Sequence, residues 1–166
     1  MSGKDEVLSL DDDQVPSTIN LVSKDGKVMA VDKKYASISK LIAIALESDQ
    51  SATDVPVDVS ADVLTLIVNY MNAHRGTEAP IIEKPLKSKI MKEVTNSADA
   101  AFIDSLTDDK QRLYDLILAA NYLDIKGLLH LGCAKVASMI KGQPLEKIKE
   151  ILSADTRKSA SSVSSK

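Results

Sequence analysis

The 166-residue sequence has no Trp, a single Phe (Phe102) and four Tyr, so aromatics make up only 3% of the chain. Aromatic side chains anchor nucleic-acid stacking and line small-molecule pockets, and their scarcity argues against both functions. Basic charge is not in excess either: 21 Lys and Arg face 24 Asp and Glu, for a net charge of −3 and a pI near 5.4. A protein that tracks a phosphate backbone carries a basic patch, so nucleic acid is not an expected partner. One cysteine, Cys133, excludes an intramolecular disulfide and fits a reducing compartment. No apolar run approaches the roughly 18 residues of a membrane span. The opening stretch, MSGKDEVLSLDDDQVP, is polar and acidic and lacks the apolar core of a signal peptide. Together these absences lead to the expectation of a soluble intracellular protein of the cytoplasm or nucleus, with no membrane partner.

Catalytic patterns are equally thin. His74 and His130 are the only histidines. His130 and Cys133, at i and i+3, could supply two metal ligands, but no second Cys or His lies near enough to complete a tetrahedral set. A nucleophilic Cys133 would need a base and a cleft; its grouping with Leu129, Val136 and Ile140 on a helix reads instead as a small hydrophobe, buried or facing a partner. The run Asp11–Asp13 reads as a solvated charge run. The glycines form neither a GxGxxG nor a P-loop pattern. No enzyme activity, metal or cofactor is expected.

Hydrophobic residues make up 44% of the chain, enough for an ordinary core, and the length suggests one domain with appendages. Residues 1–16 read as a disordered leader. TINLVSKDGKVMAV then holds two β-rich runs, Ile19–Ser23 and Lys27–Val31, around Asp25-Gly26; Asp-Gly between alternating apolar residues signals a hairpin. ISKLIAIALES places Ile38, Leu41, Ile42 and Ala45 on one helical face. VPVDVS (55–60) reads as a third strand. Ser60 is placed to cap a helix running to Arg75, with Val63, Leu64, Ile67 and Met71 facing the core and Asp62 in the first turn. Residues 76–98, with Gly76, Pro80 and Pro85, read as a linker or mobile insertion, with room for a short helix in IIEKPLKSKIMKEV. Thr107 opens a helix over about 108–124, a second runs from about Ile125 to Lys141, and Pro144 starts a third. The tail SADTRKSASSVSSK, with six Ser in 14 residues, reads as disordered, although its serines offer phosphorylation sites. Three short strands followed by helices describe a small mixed α/β domain with a helical C-terminal extension.

One helix has an unusual pattern. In LYDLILAANYLDIKGLL, Leu113, Leu116, Ile117, Ala120 and Leu123 share one broad face. Tyr114, Leu118, Tyr122 and Ile125 form a second stripe flanked by Asp115 and Asn121. Such a helix either lies wholly inside the domain or offers its second stripe to a partner. Burial of an unpaired amide costs about 1–3 kcal/mol, so the interior reading requires internal partners for Asn121. At an interface, Asn and Tyr beside an apolar anchor need no such compensation. The pattern alone leaves both open.

LYDLILAANYLDIKGLL, followed by CAKVASMIKG, resembles the signature of the Skp adaptor family of SCF (Skp–cullin–F-box) ubiquitin ligases. INLVSKDGKVMAVD is similar to that family's opening hairpin, and VPVDVSADVLTLIVNYMNAHR to its next strand and helix. The resemblance implies an α+β BTB/POZ-type domain, a small three-stranded sheet among helices, over residues 17–130, followed by an F-box-facing extension over 131–152. It implies a non-catalytic adaptor joining a cullin to an F-box substrate receptor. On matching positions it puts Asn121 and Tyr122 on a cullin-facing helix, with Tyr114, Leu118 and Ile125 as apolar neighbours, and it makes Cys133, Val136, Met139 and Ile140 contacts for the F-box. The sequence departs from the family where DAAFIDSLTDDKQ replaces a Trp-containing segment, and where ILSADTRKSASSVSSK stands in place of two closing helices. A shortened terminal clasp is therefore expected, and F-box affinity is the property it touches. Two other readings remain open: a self-associating BTB/POZ scaffold, such as a homodimer, that has lost F-box binding, and an elongin-C-like adaptor for another receptor motif.

Overall fold

The computed structural model describes residues 17–78, 82, 84 and 86–152. The acidic leader (1–16) and the Ser-rich tail (153–166) lie outside the described residues. The described residues divide into two compact units, one drawn from Met1–Ala79 with Tyr122–Ile125, the other from Pro80–Asn121 with Lys126–Lys166.

The first unit contains the sheet. Strands β1 (Thr18–Val22) and β2 (Val28–Asp32) form the expected hairpin, pairing Ile19 with Val31 and Leu21 with Met29. Gly26 takes a φ of 87° at the turn, the left-handed conformation that Asp-Gly supplies at little steric cost. Ile19 and Leu21 are buried while Thr18 is exposed and Asn20 and Val22 are only partly covered, the period of two of a half-buried strand. Strand β3 (Asp54–Pro56) runs parallel to β1, pairing Leu21 with Val55, to give the order β2-β1-β3. The strand is shorter than VPVDVS suggests: Pro56 contributes no donor and residues 58–59 bend, although Val57 still bonds to the Val22 carbonyl at 2.9 Å.

Helices α1 (Lys33–Ala36), α2 (Lys40–Ser48) and α3 (Ala61–His74) complete this unit. Val63, Leu64, Ile67 and Met71 face its core as their spacing requires. Ser60 occupies the cap position of α3 but makes no side-chain cap bond. Asp25 from the hairpin turn does so instead, accepting from the Ala61 N–H at 2.9 Å. The Ser23 hydroxyl, followed by backbone donors including Ala61, holds the Asp25 carboxyl below its ordinary range. A tertiary neighbour has replaced the local cap.

Ser39 is fully buried and does two things at once: its Oγ accepts from the Ile42 N–H at 3.2 Å and donates to the Leu123 carbonyl at 2.6 Å. Lys40 N–H adds a bond to the Asp124 carbonyl at 3.2 Å. These bonds tie the first turn of α2 to the 122–125 segment. Ser39→Ala should lower stability by about 2 kcal/mol, because it removes an N-cap and leaves a carbonyl unpaired; an unchanged urea midpoint would show the bond to be dispensable.

The second unit is helical. It comprises α4 (Met91–Val94), α5 (Ser97–Asp104), α6 (Lys110–Leu123, whose last two residues count with the first unit), α7 (Lys126–Ile140) and a helical stretch at 145–152, α8. Helix α4 is the short helix for which IIEKPLKSKIMKEV has room, whereas α5 begins inside the 76–98 stretch read as a linker, and the expected domain boundary at 130 falls inside α7. Asn96 caps α5 through the Asp99 N–H, and Asp109 rather than Thr107 accepts from the first turn of α6. Thr107 instead donates to the Asp104 carbonyl. Helices α5 and α7 pack together and share an ion pair, Lys135 Nζ to Asp104 Oδ1 at 2.8 Å, with Lys135 nearly buried and Asp104 half-exposed. Gly132 on α7 permits a close approach: a Cβ there would stand 2.5 Å from Ile117 Cγ1 on α6. The sheet and helices make the chain α+β.

Candidate docking surfaces

Helix α6 has the two apolar faces read from its sequence. Leu113, Leu116, Ala120 and Leu123 are buried, while Ile117 is half-buried. On another side, Leu118 is 62% and Tyr122 44% exposed, one turn apart, with Asn121 exposed beside them. Asn121 therefore meets water and needs no internal partner. The Tyr122 hydroxyl accepts from the Asp58 N–H at 3.3 Å, a contact that steers the ring while leaving much of it open.

Two of the five residues expected on this stripe are elsewhere. Ile125 is 0% exposed. The helix ends at Leu123 and Asp124 turns to a φ of 55°, so the 100° repeat cannot be extended across it. Tyr114 is half-buried and its hydroxyl donates to the Ile151 carbonyl at 2.7 Å. Each step of four residues advances a helix by about 40°, and two such steps from Tyr122 carry Tyr114 off the exposed stripe.

Tyr114 instead joins Ile117, Cys133, Val136 and Leu152 around an apolar hollow of about 340 Å³. Two of the four residues expected to meet an F-box, Cys133 and Val136, line it. Met139 and Ile140 are half-buried and do not. Cys133 is exposed, not a buried packing residue. Neither Leu152 nor Ile117 is marked by the sequence as a partner contact: Leu152 ends a short helix, and Ile117 belongs by spacing to the buried face.

Helix α2 carries a further exposed apolar pair. Leu41, assigned to the core face of α2, is 38% exposed, and Ile44 is 53% exposed. Only Ile42 is fully buried in that helix. The signal was present in LIAIAL (41–46), an unbroken apolar run richer than one core face can use. Both residues belong to the same compact unit as Tyr122.

Among the described residues, no group of three or more His, Cys, Asp or Glu is placed to hold a metal ion, and no helix is long and apolar enough to cross a membrane.

Comparison with known proteins finds relatives over most of the chain. Residues 17–76 match the Skp1 family tetramerisation domain, and residues 126–156 the Skp1 family dimerisation domain. The chain is 37% identical to the S-phase kinase-associated protein 1 homolog of Tetrahymena thermophila, over 83% of this chain and 82% of that protein. It is 35% identical to SKP1-like protein 13 of Arabidopsis thaliana, over 81% of this chain and 82% of the relative. It is also 34% identical to the E3 ubiquitin ligase complex SCF subunit sconC of Arthroderma otae, over 81% of both. With two stretches matched by Skp1 family domains and relatives aligned over most of their length, the chain belongs to the Skp1 family.

Proposed function

We propose that the chain is a non-catalytic adaptor subunit of an SCF-type ubiquitin ligase, which bridges a cullin and an F-box substrate receptor in ubiquitin-dependent protein degradation. The observation that carries this reading is the presence of two distinct apolar surfaces, the open Leu118–Tyr122 stripe and the hollow at Tyr114, Cys133 and Val136, in a chain of this family. The stripe, with Asn121, holds the cullin. The hollow accepts the F-box. Leu41 and Ile44, in the same unit as Tyr122, are further candidates for the cullin side.

The mechanism is positional. Binding both partners at once turns an encounter between substrate and the cullin-bound machinery into an event within one assembly, raising the effective concentration of one beside the other. Substrate choice then belongs to the F-box receptor.

Mixing the purified chain with the N-terminal region of a cullin and an F-box domain should yield a 1:1:1 assembly by size-exclusion chromatography with mass measurement. A chain that forms homodimers and captures neither partner would point to the scaffold reading instead.

A further inference from the structure

A second hollow, of about 400 Å³, lies on the other flank of α7. Ile82, Leu86, Ala134 and Ala137 make it apolar, and the exposed Lys84 and Lys141 add two ammonium groups. His130 lines it too, and no carboxylate does among the described residues. A third ammonium stands nearby: Lys89 Nζ is 3.1 Å from the point a Cβ on Gly142 would occupy, just past the end of α7. Among the described residues these charges at the hollow are positive, in a chain whose net charge is −3. Cys133 lines both this hollow and the one at Tyr114 and Val136, so the two are neighbours along α7.

We propose that this second hollow binds an acidic segment bearing a large apolar side chain, contributed by the receptor next to its F-box, and thereby selects among receptors. The proposal rests on the adaptor reading above. An apolar side chain fills the space over Ala134 and Ala137, and the carboxylates beside it meet Lys84 and Lys141. The shared Cys133 places the site within reach of a receptor seated in the first hollow. Because the lysines are exposed, their contribution is screened by salt and acts on partner choice more than on total affinity.

The test uses the full chain and one recombinant F-box domain carrying a flank of alternating Glu and Leu, at either end in turn, against the same domain with Gln in place of Glu. Calorimetry at low salt should show the Glu flank binding about tenfold more tightly. The difference should shrink at high salt and vanish in Lys84→Glu/Lys141→Glu. Ala137→Trp, which fills the hollow, should remove the same gain while the Gln-flanked domain binds as before, a control that also reports folding. Equal affinity for the two flanks, or a gain that survives in both variants, overturns the proposal and leaves the adaptor reading standing. Failure of the wild-type chain to bind either F-box domain overturns both.

Discussion

Tyr122→Ala combined with Asn121→Lys should abolish cullin co-purification, with affinity falling at least about a hundredfold, while the fold stays intact. The size follows from the surface. Tyr is a frequent hot spot whose truncation costs about 2–4 kcal/mol, and each 1.4 kcal/mol is a factor of ten. Its ring is already held by the Asp58 N–H, so little side-chain freedom remains to be lost on docking. Asn121→Lys sets a charge against the apolar neighbours Leu118 and Tyr122 that a partner would have to desolvate. The fold should tolerate both changes because both side chains are exposed. Tyr122→Phe, which keeps the ring, should bind nearly as well as wild type, separating ring burial from the hydroxyl contact. Undiminished binding by the double variant, with an unchanged circular dichroism spectrum, would remove this stripe from the interface.

The second large effect concerns folding. Gly132→Ala should destabilise the chain even though Ala is the better helix former by about 0.5–1 kcal/mol. Its Cβ would stand 2.5 Å from Ile117 Cγ1 and 3.3 Å from Cδ1, and overpacking of this kind costs about 1–3 kcal/mol. Ile117→Ala removes both offending atoms, leaving Ile117 Cβ at an ordinary 3.8 Å. The two substitutions should therefore be less damaging together than their sum, with a favourable coupling of about 1–2 kcal/mol in a double-mutant cycle. Additive losses in denaturant titrations would mean that α6 and α7 can separate slightly at no cost.

The fold was legible where local chemistry and tertiary packing agreed. Asp25-Gly26 specifies a turn by backbone geometry alone, and the Val63, Leu64, Ile67, Met71 spacing has one buried solution. The sequence failed where a residue answers to a distant neighbour. Ser60 has the right chemistry for a cap, but Asp25, far away in sequence, reaches the α3 N-terminus first. The site shows the same division. Leu118, Asn121 and Tyr122 lie close together on one regular helix, and all three are exposed as the spacing allows. Ile125 was lost because Asp124 resets the backbone, and a non-glycine residue at positive φ leaves little trace in a sequence. Tyr114 drifts off the stripe over two four-residue steps, and its hydroxyl then meets the Ile151 carbonyl, a partner that no helical wheel contains. Leu41 reads as core, and Ile44 stays unmarked, because an apolar residue counts as core unless a surplus is tallied.

The single sulfhydryl of the chain stands on the strip of α7 that separates the two hollows. Any adduct formed on Cys133, whether glutathione or a synthetic fluorophore, would crowd both at once. With a receptor seated there as proposed, its alkylation rate becomes a native gauge of occupancy, with no engineered label and no competing thiol.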